Sequence, residues 1–234
     1  MKRWARRFRG GEGLLFREVF WSGARAVATA LAEMDWRKKI FKLSAMPGFA
    51  KTTLREEIRC RLAGVSLDGR RAASATILQT LTERPEWKIA GLLGLYLSLP
   101  DEPETRDLIR LAWNDGKKVA LPKTDIRHGL TWWEILPGPL PSTETLWEPL
   151  PGKHVAVSHD SIDGFCVPGR AFDPRGTRLG RGGGHYDRAL AQRSRKAWVA
   201  GLFFSVQEME HLPREAHDVA LPHVVTENGW RNLS

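Results

Sequence analysis

The chain has 234 residues, which allows one domain with a substantial core, or a domain plus an appendage. Apolar residues make up 42%, ordinary for a globular protein, and no apolar run is long enough to cross a bilayer. The formal charge of +9 invites a nucleic-acid reading, but residues 1–45 hold eleven basic against four acidic side chains, so +7 belongs to that stretch and +2 to the rest. Neither nucleic acid nor a membrane is therefore expected as a partner of residues 46–234. Two cysteines, Cys60 and Cys166, lie far apart and outside any CxxC pair. That argues for two buried thiols in a reducing compartment and against a metal framework.

Residues 1–45 read unlike the rest. Their apolar side chains, from Leu14 to Leu31, recur at helical spacing, with Arg17, Arg25 and Glu33 on the other side. Three readings stand: an over-long start ahead of Met46, an Arg-rich transit peptide, or a genuine appended helix. From Met46 onward the chain alternates. Thr53 followed by Glu56 forms a capping box, so a helix is predicted from there to about Ala63, with Leu54, Ile58 and Leu62 on its buried face. Lys51 just ahead of it and Arg55 in its first turn oppose the macrodipole by about 0.3–1 kcal/mol each. Such placement suits either a bound anion between them or two solvated surface cations.

A second helix is predicted over 68–83, with Ala72, Ala75, Leu78 and Leu81 inside, and Pro85 breaks it. Residues 89–97 are almost unbroken apolar, the mark of a strand covered on both faces. The turn from Pro100 to Pro103 leads into a helix over 104–113, ended by Asn114-Asp-Gly116, and 118–122 is the next strand. Strand, helix and strand with short connections imply parallel pairing. Residues 130–135 are predicted as a strand among proline-rich loops, and Trp132, Trp133 and Trp147 are either cavity wall or core. Further on come a short buried strand at 162–168, a helix over 186–195, a central strand at 197–204 and the closing run 224–226.

This alternation predicts an α/β fold with an open, mostly parallel sheet, whose ligands sit outside the carboxyl ends of the strands. Two segments leave such ends, the Pro100–Glu104 turn and the run from Val167 to Arg188, and they should share one cleft. In the latter, Gly180, Gly182, Gly183 and Gly184 crowd around Arg181. Each lacks a Cβ, so backbone N–H groups can face inward and form an anion nest. Arg175, Arg178, Arg181 and Arg188 add forked donors suited to phosphate. A polyphosphate is the expected ligand, with a flexible surface turn as the plain alternative.

Val167-Pro-Gly, Phe172-Asp and Arg178-Leu-Gly-Arg-Gly-Gly-Gly-His-Tyr-Asp-Arg188 together resemble the signature of the 5-formyltetrahydrofolate cyclo-ligases, also called methenyltetrahydrofolate synthetases. Lys51-x-x-x-Arg55 is similar to that family's N-terminal ATP-contacting pair, and Tyr96-Leu-Ser-Leu-Pro-Asp-Glu102-Pro-Glu-Thr105 to its folate-contacting turn. Glu148-Pro149, then Pro213, His217-Asp218 and Val225-Thr226-Glu227, recur in the expected order. The likeness implies a Rossmann-like, three-layer α/β domain over 46–234 with helices on both faces, preceded by an extension at 1–45. It also implies an ATP- and magnesium-dependent closure of 5-formyltetrahydrofolate to 5,10-methenyltetrahydrofolate, with release of ADP and phosphate. The implied working form is a monomer that takes only small-molecule substrates, in the cytoplasm, or in an organelle if residues 1–45 are a transit peptide.

Carried over position by position, Lys51, Arg55 and the loop Arg178-Leu179-Gly180-Arg181-Gly182-Gly183-Gly184-His185-Tyr186 would contact ATP. Leu97 and Glu102, with Arg181, Gly182, Gly183, Gly184 and His185, would contact the folate. Arg181, Lys51 and Tyr186 would carry the chemistry, and Asp187 and Asp218 would hold Mg2+. His185 stands where the family usually has Tyr or Phe, and its imidazole offers less apolar surface.

Overall fold

The computed structural model describes residues 47–127, 129–142 and 147–233. The three readings of residues 1–45 therefore lie outside the described residues. From Lys51 to Ser234 the chain forms one compact unit.

Helix α1 spans Pro47–Ala63, so it starts well before the Thr53–Glu56 box. Proline suits a first helical position, where the missing N–H has no intrahelical role. Lys51 and Arg55 consequently sit within the helix, and the macrodipole cost expected of them at its start does not apply. Leu54, Ile58 and Leu62 are buried, as their spacing predicts.

Helix α2 spans Leu67–Thr82 and is capped by Ser66, whose hydroxyl accepts the Gly69 N–H at 3.0 Å. Its inner stripe is Ser74, Ile77 and Leu81, while Ala72 and Ala75, expected inside, are exposed. The stripe is rotated because Ser74 has work on that face. Its hydroxyl donates to the Arg70 carbonyl at 2.8 Å and accepts the Glu104 N–H at 3.0 Å, tying α2 to the distant 98–105 turn. Pro85 does more than end α2: it opens the short helix α3, Pro85–Ile89, which buries Trp87. Ile89 is 84% exposed, and the strand expected from it shrinks to β1, Leu92–Gly94.

The remaining elements follow the predicted order, the 164–167 and 198–202 strands shorter than expected and the 118–125, 129–135 and 223–226 strands longer. They are α4 (Arg106–Asn114), β2 (Lys118–Asp125), β3 (Gly129–Ile135), β4 (Val155–Val157), β5 (Gly164–Val167), β6 (Ala171–Phe172), β7 (Arg178–Leu179), α5 (His185–Leu190), β8 (Trp198–Leu202), β9 (His223–Thr226) and β10 (Gly229–Asn232). Helix α5 stops five residues short of the expected Arg195. There the Arg193 guanidinium takes the Leu190 carbonyl at 2.7 Å, and the Gln192 and Arg193 N–H groups make short i→i−3 bonds that tighten the chain into a turn.

Eight strands form one sheet in the order β10-β9-β8-β5-β1-β2-β3-β4. The five in the middle, β9, β8, β5, β1 and β2, pair parallel, and β10, β3 and β4 run antiparallel at the edges. Strands β6 and β7 form a separate hairpin. Successive strand residues point to opposite faces, so each central strand feeds two cores. Val119, Leu121, Cys166, Ala200 and Val225 join Ile58, Ile77, Trp87 and Leu108 of α1–α4 on one face. Ala120, Phe165, Val167, Val199 and Val224 join Ala189 and Leu190 of α5 on the other. This is the expected α/β sheet with helices on both faces. Of the two thiols expected inside, Cys166 is buried and Cys60 is exposed. Among the described residues no helix is long and apolar enough to cross a membrane.

Ile58 is completely buried among side chains from α2, α4 and the sheet. Replacing it with alanine should lower unfolding free energy by about 2–5 kcal/mol, measurable as a shift of the denaturant midpoint.

Candidate active site

The carboxyl end of β5 delivers the chain to Pro168 and then to the β6–β7 hairpin. That hairpin is shaped by Asp173, whose side chain is fully buried. Asp173 Oδ1 accepts the Arg175 and Thr177 N–H groups at 3.0 and 2.9 Å, and Oδ2 accepts the Leu212 N–H at 3.0 Å. Burial works to raise this carboxyl, but the Arg175 guanidinium and the backbone donors outweigh it and hold it below the ordinary range.

Beyond the hairpin comes the glycine loop. Gly182 and Gly184 adopt φ of +113° and +60°, conformations that side chains bearing a Cβ rarely hold. A Cβ on Gly183 would lie 2.4 Å from His185 Nε2, so the loop crosses the imidazole with no side chain between. Arg178 and Asp187 close the loop at its base. The Arg178 guanidinium donates to Asp187 Oδ2 at 2.9 Å, both groups are buried, and Asp187 Oδ1 accepts the Val219 N–H at 3.2 Å.

Against this loop stands the turn after β1. Thr105 donates its hydroxyl to the Tyr96 carbonyl and accepts the Ser98 N–H, which folds residues 96–105 back on themselves. Glu102 is thereby presented at the turn, its Oε2 accepting the Leu99 N–H at 3.0 Å. Turn and loop enclose a cavity of about 360 Å³. Leu97, Glu102, Arg178, Gly180, Arg181, Gly183, Gly184, His185, Tyr186 and Asp187 all line it, so most of the expected site residues converge there. The third wall is Leu121, Pro122, Leu130, Trp147 and Glu148, near the carboxyl end of β2.

Five expected residues lie beside the cavity instead of lining it. Arg55 Nε donates to the Gly180 carbonyl at 2.8 Å, and a Cβ on Gly182 would lie 3.5 Å from the same guanidinium. Lys51 Nζ pairs with Asp218 Oδ2 at 3.1 Å and Glu215 Oε1 at 2.9 Å. Burial lowers the Lys51 ammonium, but these two carboxylates overcome it and raise it above the usual value. Asp218 is held below its own usual range, burial being outweighed by the Glu215 N–H and Lys51. Leu179 turns its side chain into the core, so only its main chain faces the loop. Asp187 and Asp218 are linked through Val219, but among the described residues no group of three His, Cys, Asp or Glu is arranged to hold a metal.

Arg181 reaches across the mouth, its Nη2 at 2.9 Å from Glu102 Oε1 and 3.0 Å from Asp101 Oδ1. Burial lowers that guanidinium and the two carboxylates raise it further. Burial also pushes the Tyr186 hydroxyl far above its ordinary value. Sequence reasoning missed Arg170, which pairs with Asp101, and Glu215 beside Lys51. Asp101 adjoins the chosen Glu102, and charge type alone does not separate the two. Of the tryptophans, Trp132 is core and Trp147 is cavity wall, while Trp133 is half-buried with its indole N–H on Thr131 Oγ1 at 3.0 Å.

A model of the 5-formyltetrahydrofolate cyclo-ligase family matches residues 48–227. The chain belongs to that family. Its similarity to the family's 5-formyltetrahydrofolate cyclo-ligase from Haemophilus influenzae is 32% identity over 173 residues, covering 72% of this chain and 92% of the relative. The Arabidopsis thaliana relative named 5-formyltetrahydrofolate cyclo-ligase, mitochondrial, is 26% identical over 234 residues, covering 87% of this chain and 81% of its own. Among solved structures, the NMR structure of Aquifex aeolicus 5,10-methenyltetrahydrofolate synthetase is 31% identical with a TM-score of 0.67, covering 78% of this chain and 92% of that one. The Mycoplasma pneumoniae 5,10-methenyltetrahydrofolate synthetase, at 20% identity and TM-score 0.62, shares the fold over 76% of this chain and 98% of its own.

Asp173 gives a pH test of the hairpin that carries the family's loop. Its carboxyl is depressed in the fold, so its contribution is fully present above the unfolded value of about 4 and is lost as pH falls through the lower folded value. Asp173→Asn should cost about 1–3 kcal/mol at pH 7, with the gap from wild type closing below about pH 4 in denaturant titrations.

Proposed function

We propose that this chain converts 5-formyltetrahydrofolate and ATP to 5,10-methenyltetrahydrofolate, ADP and phosphate. The observation that carries the reading is one cavity with a carboxylate turn on one side and an arginine-bearing glycine loop on the other, Glu102 and Arg181 meeting at 2.9 Å. The chemistry needs two such walls. A formamide oxygen is a poor leaving group until it takes the γ-phosphoryl group of ATP. The folate's own N10 then attacks the formyl carbon, and phosphate departs with that oxygen. Both steps depend on alignment and charge stabilisation rather than on a protein nucleophile.

In this reading Glu102 accepts the paired N–H donors of the pterin's aminopyrimidinone edge, and Leu97 and Trp147 lie along the apolar body of the folate. Lys51, Arg55 and Arg178, with the main chain from Leu179 to Tyr186, hold the ATP phosphates. Arg55 acts on the loop through Gly180 as well as by charge. Arg181 sits over the cavity and neutralises charge as it develops on the phosphoryl group. Tyr186, its hydroxyl pushed still higher by burial, donates a hydrogen bond and takes no proton. The carboxylates of Asp187 and Asp218 suit magnesium, which takes one or two carboxylates, substrate phosphates and waters. Bound there, the ion would supply further neutralisation of phosphate charge. His185 replaces the family's aromatic ring, and its Nδ1 lies 3.2 Å from Arg188 Nη2, so the ring is held at an angle fixed by that contact. The free thiols fit a reducing compartment, taken here as the cytoplasm, or an organelle should residues 1–45 be a transit peptide.

Purified protein with 5-formyltetrahydrofolate, ATP and magnesium should develop the absorbance of 5,10-methenyltetrahydrofolate, and no absorbance from protein that binds ATP would refute the reading. Arg181→Ala should cut turnover by about 10²-fold or more in the same assay, if it stabilises transferring charge.

A further inference from the structure

Two adjacent carboxylates share one guanidinium, and their surroundings differ. Glu102 is 6% exposed, and both its oxygens are engaged, Oε1 by Arg181 at 2.9 Å and Oε2 by the Leu99 N–H at 3.0 Å. Asp101 is 32% exposed, does not line the cavity, and takes Arg181 on Oδ1 at 3.0 Å. Its other oxygen meets the Arg170 guanidinium. The main chain of Arg170 is fixed, its backbone N–H donating to the Leu179 carbonyl at 2.7 Å where the β6–β7 hairpin begins. A chain of alternating charge, Arg170–Asp101–Arg181–Glu102, therefore runs from the hairpin to the cavity wall.

If Glu102 is the carboxylate that grips the pterin, substrate and Arg181 compete for Oε1. A paired N–H edge needs both carboxylate oxygens along their lone-pair directions. Once the substrate takes a place on Glu102, Oε1 is shared and the hold on the guanidinium weakens. Arg181 is a long side chain, 46% exposed, and left alone it gains rotamer freedom by leaving for solvent. Asp101 is the anion that the substrate does not take, because it stands outside the cavity. Arg170 keeps it in place and offsets its charge.

We propose that Asp101, held by Arg170, is a positioning residue for Arg181, retaining that guanidinium over the cavity when the substrate occupies Glu102. The proposal rests on the reaction proposed above. Its test is steady-state kinetics, with folate and ATP varied separately, on wild type, Asp101→Asn, Arg170→Met, Arg170→Lys and Glu102→Gln, together with thermal unfolding of each. Asp101→Asn should lose about tenfold in kcat while its folate KM stays within about threefold of wild type. Arg170→Met should lose kcat in the same way and Arg170→Lys should recover most of it, whereas Glu102→Gln should raise the folate KM. Unfolding midpoints of the Asp101 and Arg170 variants should stay near wild type. Wild-type kcat in Asp101→Asn, a defect confined to its folate KM, or a kcat loss that follows lost stability would each overturn the proposal. Absence of methenyl product from wild type would bring down the reaction and this role together, while wild-type turnover beside an unaffected Asp101→Asn removes only the role.

Discussion

The buried pair between Arg178 and Asp187 is the contact on which the rest of the site depends. These residues bracket the glycine loop, so their bond at 2.9 Å closes it into a ring, which Arg55 braces further at the Gly180 carbonyl. Side-chain exposures of 3% and 11% place the pair largely out of water. A pair so placed is expensive to break, at about 3–5 kcal/mol, because either partner alone becomes an uncompensated buried charge. Its stability value relative to apolar residues is small by the same principle, and what it supplies is geometry. Asp187 extends the ring to the Val219 segment, and Arg178 stacks over Tyr186 with 5.5 Å from guanidinium carbon to ring centroid. Strand β7, helix α5 and the segment bearing Asp218 therefore meet at one fixed point.

The sheet decides what faces that point. Strands β5 and β1 are neighbours and parallel, so the loop that leaves β5 and the turn that leaves β1 emerge side by side at the same edge. Helix α1, which carries Lys51 and Arg55, contributes from its middle, where its backbone groups are satisfied and only its side chains reach the loop. Positive charge at the site is consequently a matter of side chains from two separate segments, helix α1 and the glycine loop, each side chain tied to carboxylates or a carbonyl. Lys51 is held by Asp218 and Glu215, Arg181 by Asp101 and Glu102, Arg55 by Gly180.

Much of this was readable in the sequence because the signals were local. Leu54, Ile58 and Leu62 at helical spacing located the buried face of α1, and the apolar runs located the parallel strands. The glycines around Arg181 and the motif order pointed to both cavity walls. What was misread depended on distant partners. Ser74 lies inside because Glu104, thirty positions on, needs its hydroxyl, and no rule of spacing carries that information. The start of α1 was placed late because a capping box was present but Pro47 opened the helix first. Residues 89–97 looked like one strand because composition does not show that Trp87 must be buried in a short helix of its own. In the site, the link of Asp101 to Arg170 and Arg181 is invisible for the same reason: a charge chain spanning loop and turn exists only after folding.

The fit of Gly183 against the His185 ring ties two positions of the loop into one choice. Because a methyl at 183 would fall 2.4 Å from Nε2, the imidazole and the bare backbone are compatible only as a pair. Any change at 183 that adds a side chain forces the ring at 185 to another rotamer, and with it the Arg188 contact. A graft that adds a side chain at 183 would thus have to change 185 with it, and exchange of the 183–188 segment as a block is the route the geometry leaves open for such a change.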